Sequence, residues 1–354
     1  MSWLADERLR EYSARLAAHF ENGGPEAARM PGLVRPLTRH FQSGEADLRS
    51  FMDASSVANC RVHGGEWELG VILMFRTHIA VDSTGGLRGV DDYLAELRPL
   101  SNRVGDRWMR AQVCSAAGEA AMARGRFDEA EEEYGEALRL AHEVSALTET
   151  PFLMARLAEI AYRSGDRDGA VAALDEAGAA AERYGVADSR AFILLLRAHI
   201  ALEDGEIVHA RALCDASRAE TGRGTAPPQV LAGLGGIEAM VTAAECGPAA
   251  GLVVLADTFR EAVRHRCSEA LRAVLVELAA DLAAGLGELP LAVRLLAAGA
   301  QWRGGCPRPA LEHARAERTE AAARAVLGAE RHEAEQVLDA LARVLPGTPS
   351  GTPS

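Results

Sequence analysis

Apolar side chains recur along this chain at helical steps. Leu4, Leu9, Tyr12, Leu16 and Phe20 fall near the three-to-four-residue spacing of one helix face, which predicts a helix over 4–20. Glu21-Asn22-Gly23-Gly24-Pro25 breaks it. A second helix is expected over about 27–41, with its start blurred by Pro31 and Pro36.

Beyond residue 65 the pattern repeats with a step of 40 residues. Gly85, Gly125, Gly165 and Gly205 share one register. Five residues later come Val90, Ala130, Ala170, Ala210 and Ala250; Leu94, Tyr134, Leu174, Cys214 and Val254 follow, then Leu97, Ala137, Ala177 and Ser217. A shared step over four to five units marks stacked repeats. The clearest unit reads as a helix over 112–124, a turn at Gly125-Arg126-Phe127, and a second helix over 128–143 capped by Asp128. A hairpin of this size buries its apolar faces only by stacking on its neighbours. The expected fold is therefore all-α, an α-solenoid of stacked helical hairpins. The expected divisions are a helical hairpin or cap over 1–64, central repeats over 65–220, C-terminal repeats and a cap over 221–345, and a disordered tail over 346–354. Thr221 to Pro228 reads as a long turn between repeats, because Ala250 and Val254 keep the register.

Gly118, Gly125, Ala130, Tyr134 and Ala137 resemble the tetratricopeptide (TPR) pattern of small residue, turn glycine, small residue, aromatic and alanine. The step exceeds the ~34 residues of the standard repeat, so longer helices or connections are expected. Gly105-Asp106-Arg107-Trp108, Asp166-Arg167-Asp168-Gly169-Ala170, the stretch from Ala292 to Ala300 and that from Ala321 to Gly328 are similar to the C-terminal repeats of actinobacterial AfsR-type (SARP) and LuxR-type transcriptional regulators. The resemblance covers about residues 65–345. It implies the sensor half of a regulator, without the DNA-binding and nucleotide-binding domains.

Composition narrows the chemistry. Ala and Leu dominate the apolar set and aromatics are 5%, which favours helices over strands. The net charge is -13, against direct nucleic-acid binding. All 38 Lys+Arg residues are Arg, so neither a Walker-A phosphate loop nor a lysine Schiff base is available. No signal peptide or membrane span is read, and the six scattered cysteines suit free thiols; the expected location is cytoplasmic. His265-Arg266-Cys267 has no partner pair for zinc, and no metal or cofactor is expected. No GxSxG elbow is present, and Cys114, Cys214 and Cys246 read as small hydrophobes in helices. The acidic run from Asp128 to Glu136 reads as a solvated helix face. No enzymatic activity is expected.

What remains is the groove. In tetratricopeptide folds the first helix of each hairpin lines it, which implies Phe75, then Gln112, Glu119 and Met122, then Phe152, Glu159, Tyr162 and Arg163, then Phe192 and His199. Aromatic anchors with a few polar groups suit a protein partner or peptide, or a small-molecule effector; the alternative place for the aromatics is inter-helix core. The expected function is a regulatory interaction module, with a metabolite-binding protein as the alternative and an atypical solenoid enzyme third. A homodimer is admitted. No membrane partner is expected.

Overall fold

The computed structural model describes residues 54–328, apart from 64, 84, 86, 224 and 225, together with positions 11, 15 and 18. The helices expected over 4–20 and 27–41 and the tail over 346–354 lie outside the described residues. The described chain runs through α1 (Ala54–His63), α2 (Glu66–Val81), α3 (Leu87–Val104), α4 (Arg107–Ala123), α5 (Phe127–Glu143), α6 (Thr150–Arg163) and α7 (Arg167–Tyr184). It continues through α8 (Ala187–Glu203), α9 (Ile207–Thr221), α10 (Pro228–Cys246), α11 (Pro248–Arg264), α12 (Glu269–Gly285), α13 (Leu289–Arg303) and α14 (Ala310–Leu327). No helix among the described residues is long and apolar enough to cross a membrane.

The chain divides into two compact units, residues 1–197 with 215–230, and 198–214 with 231–354. In the first, each helix from α1 to α7 packs on the next, and α2 also packs on α4. In the second, α11 to α14 pack in succession and α12 also packs on α14. Contact with both the next helix and the next but one is the geometry of stacked hairpins. The fold is all-α and tetratricopeptide-like.

Helix ends set the repeat. Gly105, Gly125, Ser145, Gly165, Gly185 and Gly205 all have left-handed backbone, with φ between 56° and 97°. The repeat of 40 is thus two half-steps of 20, each one helix and one turn. Helices of 14 to 18 residues from α4 to α7, longer than the standard repeat needs, account for the step. From Gly125 onward, the amide after each left-handed residue bonds back to the carbonyl of an alanine: Ala121, Ala141, Ala161, Ala181 and Ala201 accept at 2.9–3.0 Å. This closure satisfies the last carbonyls of each helix. Ser145 occupies the glycine position without being glycine, a strain of about 1–2 kcal/mol.

The repeat positions are core. Val90, Ala130, Ala170 and Ala210 are buried, as are Leu94, Tyr134, Leu174 and Cys214, and Leu97, Ala137, Ala177 and Ser217. The register does not carry on to Ala250 and Val254, which are half-buried; Gly251 and Leu255 take the buried places. The longer connection between α9 and α10 moves the pattern by one residue. Gly251 is obligatory there, because a Cβ would lie 2.6 Å from the Ala239 carbonyl oxygen.

The capping expectation changes. Asp128 is not the cap of α5; that helix starts at Phe127 after Arg126, and Asp128 sits in its first turn, where a carboxylate favours the helix dipole. Asp106 caps α4, accepting from the Trp108 and Met109 amides at 2.9 and 3.2 Å, and Asp166 caps α7 through Gly169. The acidic face of α5 is paired as well as solvated: Glu133 meets Arg98, and Glu136 meets Arg139 and Arg110. Cys60, Cys214 and Cys267 are buried; Cys246 is exposed, unlike the expected small hydrophobe, because it ends α10. His265 and Cys267 lie in the turn after α11, and no cluster of metal-ligating side chains is found among the described residues.

Candidate functional site

Arg156, which the sequence reading passed over, is the centre of the first unit's polar structure. Its guanidinium donates to both carboxylate oxygens of Glu119 on α4, at 2.8 and 2.6 Å, and to Glu159 at 2.8 Å. It also lies over two rings, 5.2 Å from the Phe152 centroid and 4.8 Å from that of Phe192. Those rings are 5.6 Å apart. Phe152, Arg156 and Glu159 sit at i, i+4 and i+7 on α6, hence on one face. Glu159 is also held by Arg163, at 2.8 Å. Burial alone would raise the Glu159 pKa, but Arg163 and Arg156 pull it down to about 2. Burial likewise opposes the Arg156 charge, and Glu119 and Glu159 keep it ionised.

The structure therefore gathers Glu119, Phe152, Glu159, Arg163 and Phe192 from the expected groove. Phe192 is buried and Phe152 half-buried. Gln112 stands beside them in a different arrangement: its amide donates to Glu149, which also accepts from the Trp108 indole at 2.8 Å. Met122 packs against the core around Tyr134, and Tyr162 is half-buried on α6. Phe75 packs elsewhere, into the core formed by α1 to α4. His199 belongs to the second unit, 3.8 Å from Glu203.

Three further groups extend the cluster. Tyr134 is fully buried, and its hydroxyl lies beside the Glu119 carboxylate without a hydrogen bond of normal geometry. Asp82, just past the end of α2, accepts a hydrogen bond from the Gln229 side chain and faces Glu119 and Arg156. Burial and the Glu119 charge raise the Asp82 pKa from 3.8 to about 7. Arg156 is already committed to Glu119 and offsets this only in part, so the Asp82 carboxyl takes up its proton near neutral pH.

That shift has a definite consequence for stability. A raised carboxyl stabilises the fold while both states are protonated and loses that contribution as pH climbs from about 4 through 7. The groups facing it are Glu119 on α4, Arg156 on α6, Tyr134 through Glu119, and Gln229. Asp82→Asn should therefore leave stability nearly unchanged near pH 4 and raise it by about 1–3 kcal/mol at pH 8. Urea melts at the two pH values check this; equal gains at both would show that Asp82 titrates normally.

The second unit holds its own charged cluster. Glu277 is buried and accepts from Arg303 at 2.7 Å and from Arg308 at 2.9 Å; Arg303 also meets Glu312, and Arg315 meets Glu203. Gly299 makes room for Glu277, whose Cγ a Cβ at that position would approach to 2.7 Å. A cavity beside it, lined by Val274, Leu278, Leu296 and Thr319 among others, holds about 20 Å³, the space of one water.

Arg156 and Asp82 were missed because each reads singly as an ordinary polar residue at a helix surface or end. The available signal was their partnership: Phe152 and Glu159 flank Arg156 on one helical face, and Glu119 precedes it by 37 residues, close to one repeat.

No protein-family model matches the sequence, and no curated protein matches it. Among solved structures, the crystal structure of the yeast Tom70 is similar to this chain with a TM-score of 0.43 and 15% identity. The match takes in 96% of this chain, and the chain spans 63% of that structure's length.

Proposed function

We propose that this chain is an interaction module that takes a polypeptide segment of a partner protein on the α4–α6–α8 face of its first unit. In keeping with the resemblance of its repeats to those of AfsR-type and LuxR-type regulators, its role is regulatory, exerted through that partner. The reading rests on one observation: a row of half-buried polar, aromatic and charged side chains, from Gln112 and Glu149 through Phe152 to Arg156, held in place by hydrogen bonds, a cation–π contact and ion pairs. Pre-arranged aromatic and arginine groups are what protein-binding hot spots use. A metabolite is the second reading. The second unit's cavity does not favour it, at about 20 Å³ against the ~300–1,000 Å³ of small-molecule sites.

Phe152→Ala tests the proposal. It should weaken binding of the partner, captured by native mass spectrometry from the natural host, by about ten-fold or more, beyond its effect on folding. Unchanged affinity in the folded fraction would make Phe152 a core residue and overturn the reading. A co-purifying small molecule in place of a polypeptide would favour the second reading.

A further inference from the structure

α14 is held to the second unit lightly. Among the described residues its buried side chains are Ala316, Thr319 and Ala323, all short. Of its large apolar side chains, Leu311 and Val326 are exposed and Leu327 is half-buried. α13, by contrast, buries Leu289, Val293 and Leu296. Apolar stabilisation scales with the area removed from water, so α14 gains little of it. The cavity of about 20 Å³ lies along the seam, with Glu312, Arg315, Ala316 and Thr319 of α14 on one side and Val274, Leu278 and Leu296 on the other. α14 therefore does not fill its seat.

Polar ties hold it in addition. Glu312 accepts from Arg303 at the end of α13, the Thr319 hydroxyl donates to Asp281 on α12 at 3.4 Å, and Arg315 pairs with Glu203. The tie from Thr319 to Asp281 spans 38 residues, about one repeat. That from Arg315 to Glu203 spans 112 and brings α14 to the end of α8. Glu203 is the last residue of α8, where a carboxylate opposes the helix dipole. Arg315 offsets a charge that its own helix does not favour.

Lifting α14 strands no buried charge. Glu277 keeps both Arg303 and Arg308, neither of which belongs to α14, and Arg303, on losing Glu312, keeps Glu277 at 2.7 Å. Glu312, Arg315 and Glu203 pass into water. A buried ion pair is costly to break when one partner is left behind in the interior, and here none is. Arg308 ties the linker before α14 to Glu277 at 2.9 Å, which puts the pivot at Pro309, the residue that starts the helix. We propose that α14 is an ion-held strap over α12 and α13, which opens as one piece about Pro309 when its polar ties are screened or competed for, and so uncovers Val274, Leu278 and Leu296. Salt screens charge pairs and leaves apolar contacts in place, so it acts on α14 and spares α12 and α13. The strap belongs to the second unit and stands whether or not the first unit docks a polypeptide.

Hydrogen exchange read by mass spectrometry on the full chain tests it. The α14 amides should exchange about ten-fold or more faster than those of α12 and α13. Raising salt from about 50 to about 500 mM, or Arg315→Gln, should speed them by about a further three-fold or more and leave α12 and α13 unchanged. Arg318→Gln, which removes an exposed charge from the same helix, should have no such effect. Ala316→Val, which adds bulk beside the cavity, should slow them. Exchange of α14 in step with α12 and α13 at both salt levels overturns the proposal, because the three helices would then open as one cooperative piece. Fast exchange of α14 that neither salt nor Arg315→Gln alters overturns it too, since that is ordinary fraying of a helix. Arg318→Gln acting as strongly as Arg315→Gln would remove the Glu203 tie from the mechanism and sink the strap with it.

Discussion

Replacing Arg156 by leucine is expected to cost about 3–5 kcal/mol of folding stability, more than most single changes in a protein of this kind. Glu159 would keep Arg163, but Glu119 would keep no cation and would remain beside Asp82, whose carboxyl already lies close to its charge. A buried carboxylate deprived of its partner carries its full desolvation cost. The two rings under the guanidinium would also lose its flat cation. Urea unfolding gives the number, and a second substitution gives the cause. Glu119→Leu in the Arg156→Leu background removes the stranded charge and should recover a large part of the loss, because a buried ion pair replaced as a pair by apolar residues is often close to neutral. A double variant no more stable than Arg156→Leu alone would show that the loss comes from packing rather than from the unpaired carboxylate.

The same cluster marks where the sequence was readable and where it stopped being so. Small and large residues at fixed steps carried the helical hairpins and the buried register from Val90 to Ser217, because close packing of neighbouring helices restricts residue size wherever they touch. The half-step of 20 was hidden at Ser145, where a left-handed turn is made without glycine. The register slipped at Ala250 because the spacing of the turn between α9 and α10 is not set by helix packing. Asp128 misled because residue type alone favours it as a cap, whereas the backbone closure at the end of α4, Arg126 to Ala121, fixes where α5 begins. Of the groove residues, Glu119, Phe152, Glu159, Arg163 and Phe192 meet around Arg156, a partner chosen by side-chain reach from three helices and invisible to any linear period. Asp82 is further out of reach of such reading, since its hydrogen-bond partner Gln229 lies far along the chain.

Tyr134→Ala should cost about as much, roughly 3–5 kcal/mol, for a reason of shape rather than charge. The ring is fully buried at the centre of the α4–α5 hairpin, and a cavity of its size cannot close between two helices held by their turns. Gly118 on α4 is its counterpart: a Cβ there would stand 3.0 Å from three ring carbons. Glycine inside a helix is itself a weak choice, by about 0.5–1 kcal/mol relative to alanine, so its presence records the room that the ring takes. The pair should therefore behave as one unit. Gly118→Ala alone should destabilise by about 1–3 kcal/mol through overpacking. In a Tyr134→Leu background, with less bulk opposite, the same change should cost nothing or stabilise. Tyr134→Phe separates ring from hydroxyl. The hydroxyl lies buried beside Glu119 without a good hydrogen bond, so its removal should change stability by no more than about 1 kcal/mol. A loss from Tyr134→Phe as large as that from Tyr134→Ala would move the stabilising role from the ring to the hydroxyl, and would make Tyr134 part of the charged network around Arg156 instead of the core beneath it.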